Sequence, residues 1–465
     1  MLDEGMQFFE AHGALVRPDD QHRYNTDWSR DITGLPKVVV RPRSTSDVAA
    51  VVRHCAERGL PVVPQGGHTG LVGGATPSVG GSEVVISLER LNRVREIDAP
   101  NFTMTVEAGC VLDEVHAAAA AAACLFPLQL GAQGSCQIGG NIATNAGGIN
   151  VVRYGMMRDL VLGLEVVLPD GQVWNGLRKL RKNNAGYDLK QLFLGSEGTL
   201  GIVTAACLKL FPKPTQVETA FLAVDSPEIA VELFGRARRD LSDLLSAFEL
   251  LPRRGIELSL AAVPGQRDPL DAPSPFYVLL EVCASGLVDL KNLVERFLES
   301  VIEEGLLSDG ALAASSAQAG AFWQIREGLI EAQAQQGRHL RTDVSIPISM
   351  IAAFLDATHA ALAVAEPEAL PLAYGHLGDG NIHFNVLPPP GLGEAERIAL
   401  LYRCESVIFR QVDAANGSIS AEHGIGRSKR CAFLERASTL DIDLMRRIKS
   451  AINPRGIMNP GRIFD

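Results

Sequence analysis

The chain is short of several features that would place it in a specialised class. Basic residues are in deficit: 43 Lys and Arg face 54 Asp and Glu, for a net charge of -11. An acidic chain lacks the footprint that nucleic acid or an anionic membrane requires, although local arginines can still serve an anionic substrate. Long apolar runs are missing. No stretch of about 18 apolar residues reads as a membrane span, and the alanine run 117–123, preceded by Asp113, Glu114 and His116, reads as a helix stopped at Pro127. The start, MLDEGMQFFEAHG, is acidic and carries no basic-then-apolar leader pattern. Paired cysteine spacing is absent: the cysteines at 55, 110, 124, 136, 207, 283, 404 and 431 form no C-x-x-C, so free thiols in a reducing cytoplasm are expected. There is no internal repeat and no low-complexity tract. No G-x-G-x-x-G and no G-K-[ST] occurs, which excludes the nicotinamide fingerprint and the Walker loop.

What remains is an ordinary globular composition, 46% apolar and 21% charged, over 465 residues, enough for two or three domains. PKVVVRP (36–42) reads as a strand and SDVAAVVRHCAERG (46–59) as an amphipathic helix, with Ser46 or Asp47 as its N-cap and Gly59 just past its end. LPVVP, EVVISL, TMTVEAG, VLGLEVVLPDG and LGIVTAACLKLF follow as strands, an α+β or α/β opening. The two prolines of FPKPTQ (211–216) mark a domain boundary. Beyond it, FLAVDS and YVLLEVCA read as strands and VDLKNLVERFLESVIEEG as a helix, a sheet covered by helices; the tail LMRRIKSAINPRGIMNPGRIFD is a basic helix ended at Pro454.

Chemistry-bearing residues concentrate in a few places. Glycine is uneven, 23 of 45 falling between 59 and 201. Strand LPVVP runs into Gln65-Gly66-Gly67-His68-Thr69-Gly70-Leu71-Val72-Gly73-Gly74, where glycines allow inward N–H groups to form an anion nest suited to a pyrophosphate. A run of tight turns would use the same glycines. Further on stands Tyr374-Gly375-His376-Leu377-Gly378-Asp379-Gly380-Asn381-Ile382-His383-Phe384-Asn385, then Ala421-Glu422-His423-Gly424-Ile425-Gly426. His376 and His383 are seven positions apart, an odd spacing that would put them on opposite faces of one strand, but the intervening Gly-Asp-Gly-Asn turn can return them to one side. His383 and Asn385 share a face. Glu422 and His423 would splay on a regular strand, and Gly424 and Gly426 permit an irregular one. Two imidazoles and a carboxylate form a recognised zinc set with open positions. Two surface hairpins with incidental histidines fit the spacing equally well.

In this order, GGHTGLVGG, GGNIATNAGG, RYG and GSEGTLG resemble the flavin-binding domain of the vanillyl-alcohol oxidase (p-cresol methylhydroxylase) superfamily. LRKNNAGYDLKQLFLGSEGTLG is similar to the branch holding D-2-hydroxyglutarate dehydrogenase, D-lactate dehydrogenase and the glycolate oxidase flavin subunit, and the resemblance continues through NPGR at 459–462. It implies an α+β chain: a two-subdomain FAD domain of p-cresol methylhydroxylase type at 1–213 (core about 33–213), an α+β cap domain at 214–425 carrying a metal site, and a segment at 426–465 returning to the FAD domain. FAD would be non-covalent, although some superfamily members attach it to a histidine in a Gly-Gly-His loop like that of His68. The cofactor contacts implied are Pro64, Gln65, Gly66, Gly67, His68, Thr69, Gly70, Gly73 and Gly74 on the pyrophosphate loop, then Gly131, Gly134, Ser135, Gly139, Gly140, Thr144, Asn145, Gly148, Tyr154, Gly198, Gly201 and Ile202, with Asn459 by the flavin ring.

The same resemblance assigns His376, His383 and Glu422 to the metal, Zn2+ or, by ligand type, Mn2+ or Co2+, and His423 to the catalytic base. Phe322-Trp323-Gln324-Ile325-Arg326-Glu327 matches the family's Trp-x-x-Arg-Glu segment, so Arg326 would hold a carboxylate. The hydroxyglutarate enzymes have Thr and Lys where this chain has Ile330 and Arg341; the Thr is lost, the charge is kept, and two arginines suit a diacid. Asn385 would hold the substrate oxygen or orient a ligand. The activity implied is oxidation of a D-2-hydroxy acid to the 2-oxo acid with hydride passing to flavin N5, D-2-hydroxyglutarate leading and D-lactate, D-malate or glycolate as alternatives. An electron-transfer flavoprotein or a quinone is the expected acceptor, and a homodimer is allowed. A flavin-binding electron-transfer subunit of a larger complex is the alternative from another class.

Overall fold

The computed structural model describes residues 4–15 and 17–464. The chain forms two compact units: Met1–Gly147 with Gly155–Lys213 and Glu422–Asp465, and Gly148–Tyr154 with Pro214–Ala421.

The first unit holds two main sheets. One orders its strands Ala14–Leu15, Val38–Val40, Val84–Ser87 and Val62–Gln65, the last three parallel. Parallel strands covered on both faces read as unbroken apolar runs, as the buried Val38, Val39 and Val40 do. Helix Thr45–Arg58 leads from Val38–Val40 to Val62–Gln65. Its N-cap is Ser44, whose hydroxyl accepts from the Asp47 N–H at 3.1 Å, and not Ser46 or Asp47 as the sequence predicts. The reason is conformational: Ser44 is extended at φ -147°, so its side chain reaches back over the first turn, of which Ser46 and Asp47 are already part. Gly59 ends the helix at φ 64°, a left-handed position that glycine adopts without a Cβ clash. The second sheet, entirely antiparallel, orders Val94–Asp98, Thr103–Glu107, Ile202–Lys209, Val161–Val167 and Val173–Gly176. The alanine-rich helix spans Leu112–Ala121 and closes before Pro127, with Ala123 at φ 55°. After helix Thr439–Ile452 the tail joins the first sheet: Met458 bridges Val62 in parallel, and the Asn459 N–H donates to the Val62 carbonyl at 2.8 Å.

The second unit is a seven-stranded antiparallel sheet in the order Asp309–Leu312, Gln216–Val224, Phe276–Ala284, Leu245–Pro252, Leu370–His376, Asn381–Leu387 and Val344–Ser345. On one face, Leu251, Tyr277, Leu279 and Tyr374 pack against Ile256 of helix Arg253–Ala262 and against Phe322, Ile325 and Leu329 of helix Ser316–Gln335. On the other, Phe248 meets Phe234 of helix Pro227–Asp240 at 5.2 Å, and Phe384 meets Phe354 of helix Ile351–Ala365 at 5.9 Å. The stretch Ile348–Ala365, of mean hydropathy 1.7, is long and apolar enough to cross a membrane by length and composition. Its Ile351, Phe354, Leu355 and Leu362 are buried in this fold.

Candidate active site

The hairpin Leu370–His376 to Asn381–Leu387 builds the first part of the site. A short 3-10 turn, Leu377–Asp379, ends at Gly380 with φ 84°, where a Cβ would lie 2.4 Å from the Ile346 carbonyl oxygen. That reversal sets Tyr374 opposite His383 and brings the His376 and His383 rings to 5.5 Å, edge to face. Ala421 is held by Asp343, whose Oδ2 accepts its N–H at 3.1 Å, and Glu422 follows by a peptide bond. One ligand atom each from His376, His383 and Glu422 lies within 4.8 Å of the others. Two nitrogens and a carboxylate oxygen at this separation could hold a divalent cation.

Behind His376 sits Glu249, fully buried on strand Leu245–Pro252. One of its oxygens meets His376 Nδ1 in a short hydrogen bond, and the other accepts from Arg326 Nε at 2.7 Å. Burial opposes ionisation of this carboxyl, but the facing His376 and Arg326 prevail and hold it down at about 2. The Arg326 guanidinium also stacks over the Tyr374 ring, 5.0 Å from its centre. Asn385 is committed within the protein: Oδ1 accepts from the Thr342 N–H at 3.1 Å and Nδ2 donates to Gln333 Oε1 at 2.7 Å. Gln333 in turn donates to the Tyr374 hydroxyl at 3.0 Å. Arg341 is half-buried with Nε 3.3 Å from His339 Nε2.

His423 opens a turn whose next residues are clamped. Glu197 is buried, and its two oxygens accept the Ile425 and Gly426 N–H groups at 2.8 and 2.7 Å. Burial raises the Glu197 pKa against the lowering effect of those two N–H donors. Gly424 stands at φ 79°, and a Cβ there would come within 2.8 Å of Glu197 Oε1. Asn459 Nδ2 ties this corner together by donating to the Glu197 and Gly74 carbonyls at 2.6 and 3.0 Å.

The glycine-rich loops of the first unit converge. A Cβ on Gly67 would sit 2.0 Å from the Ser135 carbonyl oxygen, one on Gly66 3.4 Å from the Gly140 nitrogen, and one on Gly198 3.0 Å from the Pro64 ring. Gly139 is pressed on Ala108 and Gly201 on Val166 in the same way. Thr144 donates to the Gly140 carbonyl at 3.1 Å, and Asn145, at φ 50°, accepts from the Arg158 N–H at 2.9 Å. Gln65 bridges the Tyr24 and Ala75 carbonyls at 3.1 and 2.8 Å, which fixes where the pyrophosphate loop starts. His68, at φ 57°, sets Nδ1 3.3 Å from the Arg23 carbonyl and Nε2 3.0 Å from Thr76 Oγ1; burial lowers its pKa. Gly73 and Ile202 are buried, whereas Gly70, Gly131, Gly134 and Ser135 are exposed. Thr69 is half-buried, and Gly148 and Tyr154 belong to the short segment of the second unit. Two buried acceptors, Gln137 Oε1 beside Gly66 and Asn459 Oδ1, have no protein donor. An FAD molecule, with ribityl hydroxyls and ring N–H groups, fits such a cradle. Substituting Gly67 with alanine forces the two loops apart at a backbone atom; it should cost about 1–3 kcal/mol of stability and lower the FAD retained on purification. Unchanged flavin content in the folded variant would count against the cradle.

Residues 36–176 match the family described as FAD binding domain, and residues 213–463 match FAD linked oxidases, C-terminal domain. The chain belongs to the FAD-linked oxidase family. It is similar to D-2-hydroxyglutarate dehydrogenase of Xanthomonas citri, 41% identical over 97% of this chain and 94% of the relative. The mitochondrial D-2-hydroxyglutarate dehydrogenase of Bos taurus is 40% identical over 97% of this chain and 81% of the relative. A D-2-hydroxyglutarate–pyruvate transhydrogenase of Saccharomyces cerevisiae is 35% identical over 95% and 89%. Among solved structures, p-cresol methylhydroxylase shares the fold at a TM-score of 0.78 and 16% identity, over 99% of this chain and 96% of that one. The α+β, p-cresol methylhydroxylase-type architecture read from the sequence is therefore borne out.

Two residues of this FAD-linked oxidase escaped the sequence reading. Glu249 was visible as a lone charge in the apolar strand LSAFELLP, a burial that is costly unless paired. Glu197 stands inside GSEGTLG, where the flanking glycines give no sign of a buried carboxylate.

Proposed function

We propose that this chain oxidises a D-2-hydroxy acid to the 2-oxo acid, with D-2-hydroxyglutarate as substrate and a divalent metal, zinc first, held by His376, His383 and Glu422. The observation that carries this reading is the approach of those three ligand atoms to within 4.8 Å, in a chain about 40% identical to D-2-hydroxyglutarate dehydrogenases along nearly its whole length. FAD, when bound, supplies the two-electron acceptor. A metal ion in the site supplies Lewis-acid polarisation of the substrate hydroxyl. His423 is the base: a neutral imidazole, reference pKa near 6.5, can take the hydroxyl proton at physiological pH. Arg326 and Arg341 hold the two carboxylates, and Asn385, engaged at both ends of its amide, positions the floor of the site. The electron acceptor is an electron-transfer flavoprotein or a quinone. All eight cysteines are free, which supports a reducing, cytoplasmic location.

The test is dye reduction by the purified chain over a panel of D- and L-hydroxy acids, with and without added zinc. D-2-hydroxyglutarate is expected to give the highest kcat/KM. Replacing Arg341 with alanine should lower kcat/KM for the diacid about 10–100-fold, the loss of one charge-assisted pair, and leave D-lactate oxidation nearly unchanged. Equal losses on both substrates would remove the diacid assignment, and absence of any hydroxy-acid turnover would favour an electron-transfer subunit.

A further inference from the structure

Glu249 has no share in the chemistry just described, yet its placement is costly. It is wholly buried on a strand whose other residues are apolar or small, and an unpaired carboxylate there would be destabilising by several kcal/mol. Apolar residues in place of the whole buried group, Glu249 with Arg326, would pack this sheet at similar or lower cost, so stability alone does not account for the charges here. The register places Glu249 directly across from His376 on the neighbouring strand. Helix Ser316–Gln335 lies over the same face and lowers Arg326 onto it. The carboxylate is thereby divided, one oxygen to His376 Nδ1 and the other to Arg326 Nε at 2.7 Å.

We propose that Glu249 is a positioning residue that fixes His376 with its proton on Nδ1 and its Nε2 toward the metal, and at the same time sets the angle of the Arg326 guanidinium. The inference rests on the metal and carboxylate roles proposed above. A carboxylate behind a ligating imidazole holds the ring orientation and the tautomer and strengthens the ligand. What this site adds is that one carboxylate serves two functions. The metal site and the carboxylate anchor then share a single rigid support, and a change at Glu249 is felt by both.

The test is Glu249→Gln. An amide has one acceptor oxygen, so it can serve His376 or Arg326 but not both. Zinc affinity, measured by competition with a fluorescent chelator, should fall about 10–100-fold; KM for D-2-hydroxyglutarate should rise in the same variant, while bound FAD is retained. Zinc affinity and KM both at wild-type values in a folded variant would overturn the proposal, as would a fall in melting temperature with neither of them moved. His376→Ala separates the two levels of the argument. If it keeps its zinc, the metal reading itself fails; if it loses zinc while Glu249→Gln does not, only the positioning role fails. Should Glu249→Gln not fold, long-range proton–nitrogen NMR of the zinc-loaded wild-type protein decides: protonated Nδ1 on His376 supports the proposal and protonated Nε2 overturns it.

Discussion

Replacing His423 with asparagine should abolish turnover while the protein stays yellow and keeps its metal. Asparagine can occupy the space but cannot accept a proton near neutral pH, so the loss is that of a general base, about 10²–10⁴-fold in kcat. The rest of the turn should survive, because its geometry does not rest on the imidazole. Glu197 clamps the two residues past Gly424 through their N–H groups, and Asn459 ties Glu197 to the loop at Gly74. Flavin absorbance, metal content and melting temperature are the controls, and stopped-flow reduction of the flavin by D-2-hydroxyglutarate is the readout. Flavin reduction at the wild-type rate would show that the proton goes elsewhere.

The second large effect is expected at the metal. With two imidazoles and one carboxylate in the set, removing His383 leaves two ligands, too few to compete with chelators or to keep the ion fixed against the substrate hydroxyl. His383→Ala should purify without stoichiometric zinc and lose at least roughly 100-fold in kcat/KM, because the Lewis acid is asked to supply several kcal/mol. Exhaustive chelation of the wild-type chain should reproduce that loss, and added zinc should reverse it in the wild type only. Full activity in a metal-free preparation would sink the metal reading and leave a flavoprotein acting without it.

Much of this architecture was legible because its signals are local. The run Val38–Val40, the end of helix Thr45–Arg58 at Gly59 and the hairpin around Gly380 each follow from residues within a few positions of one another. The N-cap lies two or three residues before the predicted position for the same reason in reverse: Ser44, Ser46 and Asp47 are all good caps, and which one serves depends on where the chain leaves its extended conformation.

The sequence by itself determined which chemical groups are present and where the backbone must bend: the histidines and glutamate on glycine turns, the cradle of small residues, the two arginines and the family they imply. Only the tertiary structure decided what those groups face. Glu249 reaches His376 across 127 positions and Glu197 reaches Gly426 across 229. Side-chain alternation sets which face of a strand a residue occupies, but not which strand lies beside it. Strand Leu245–Pro252 lies next to Leu370–His376 because the whole seven-stranded sheet closes in that order, a long-range outcome that no local pattern encodes.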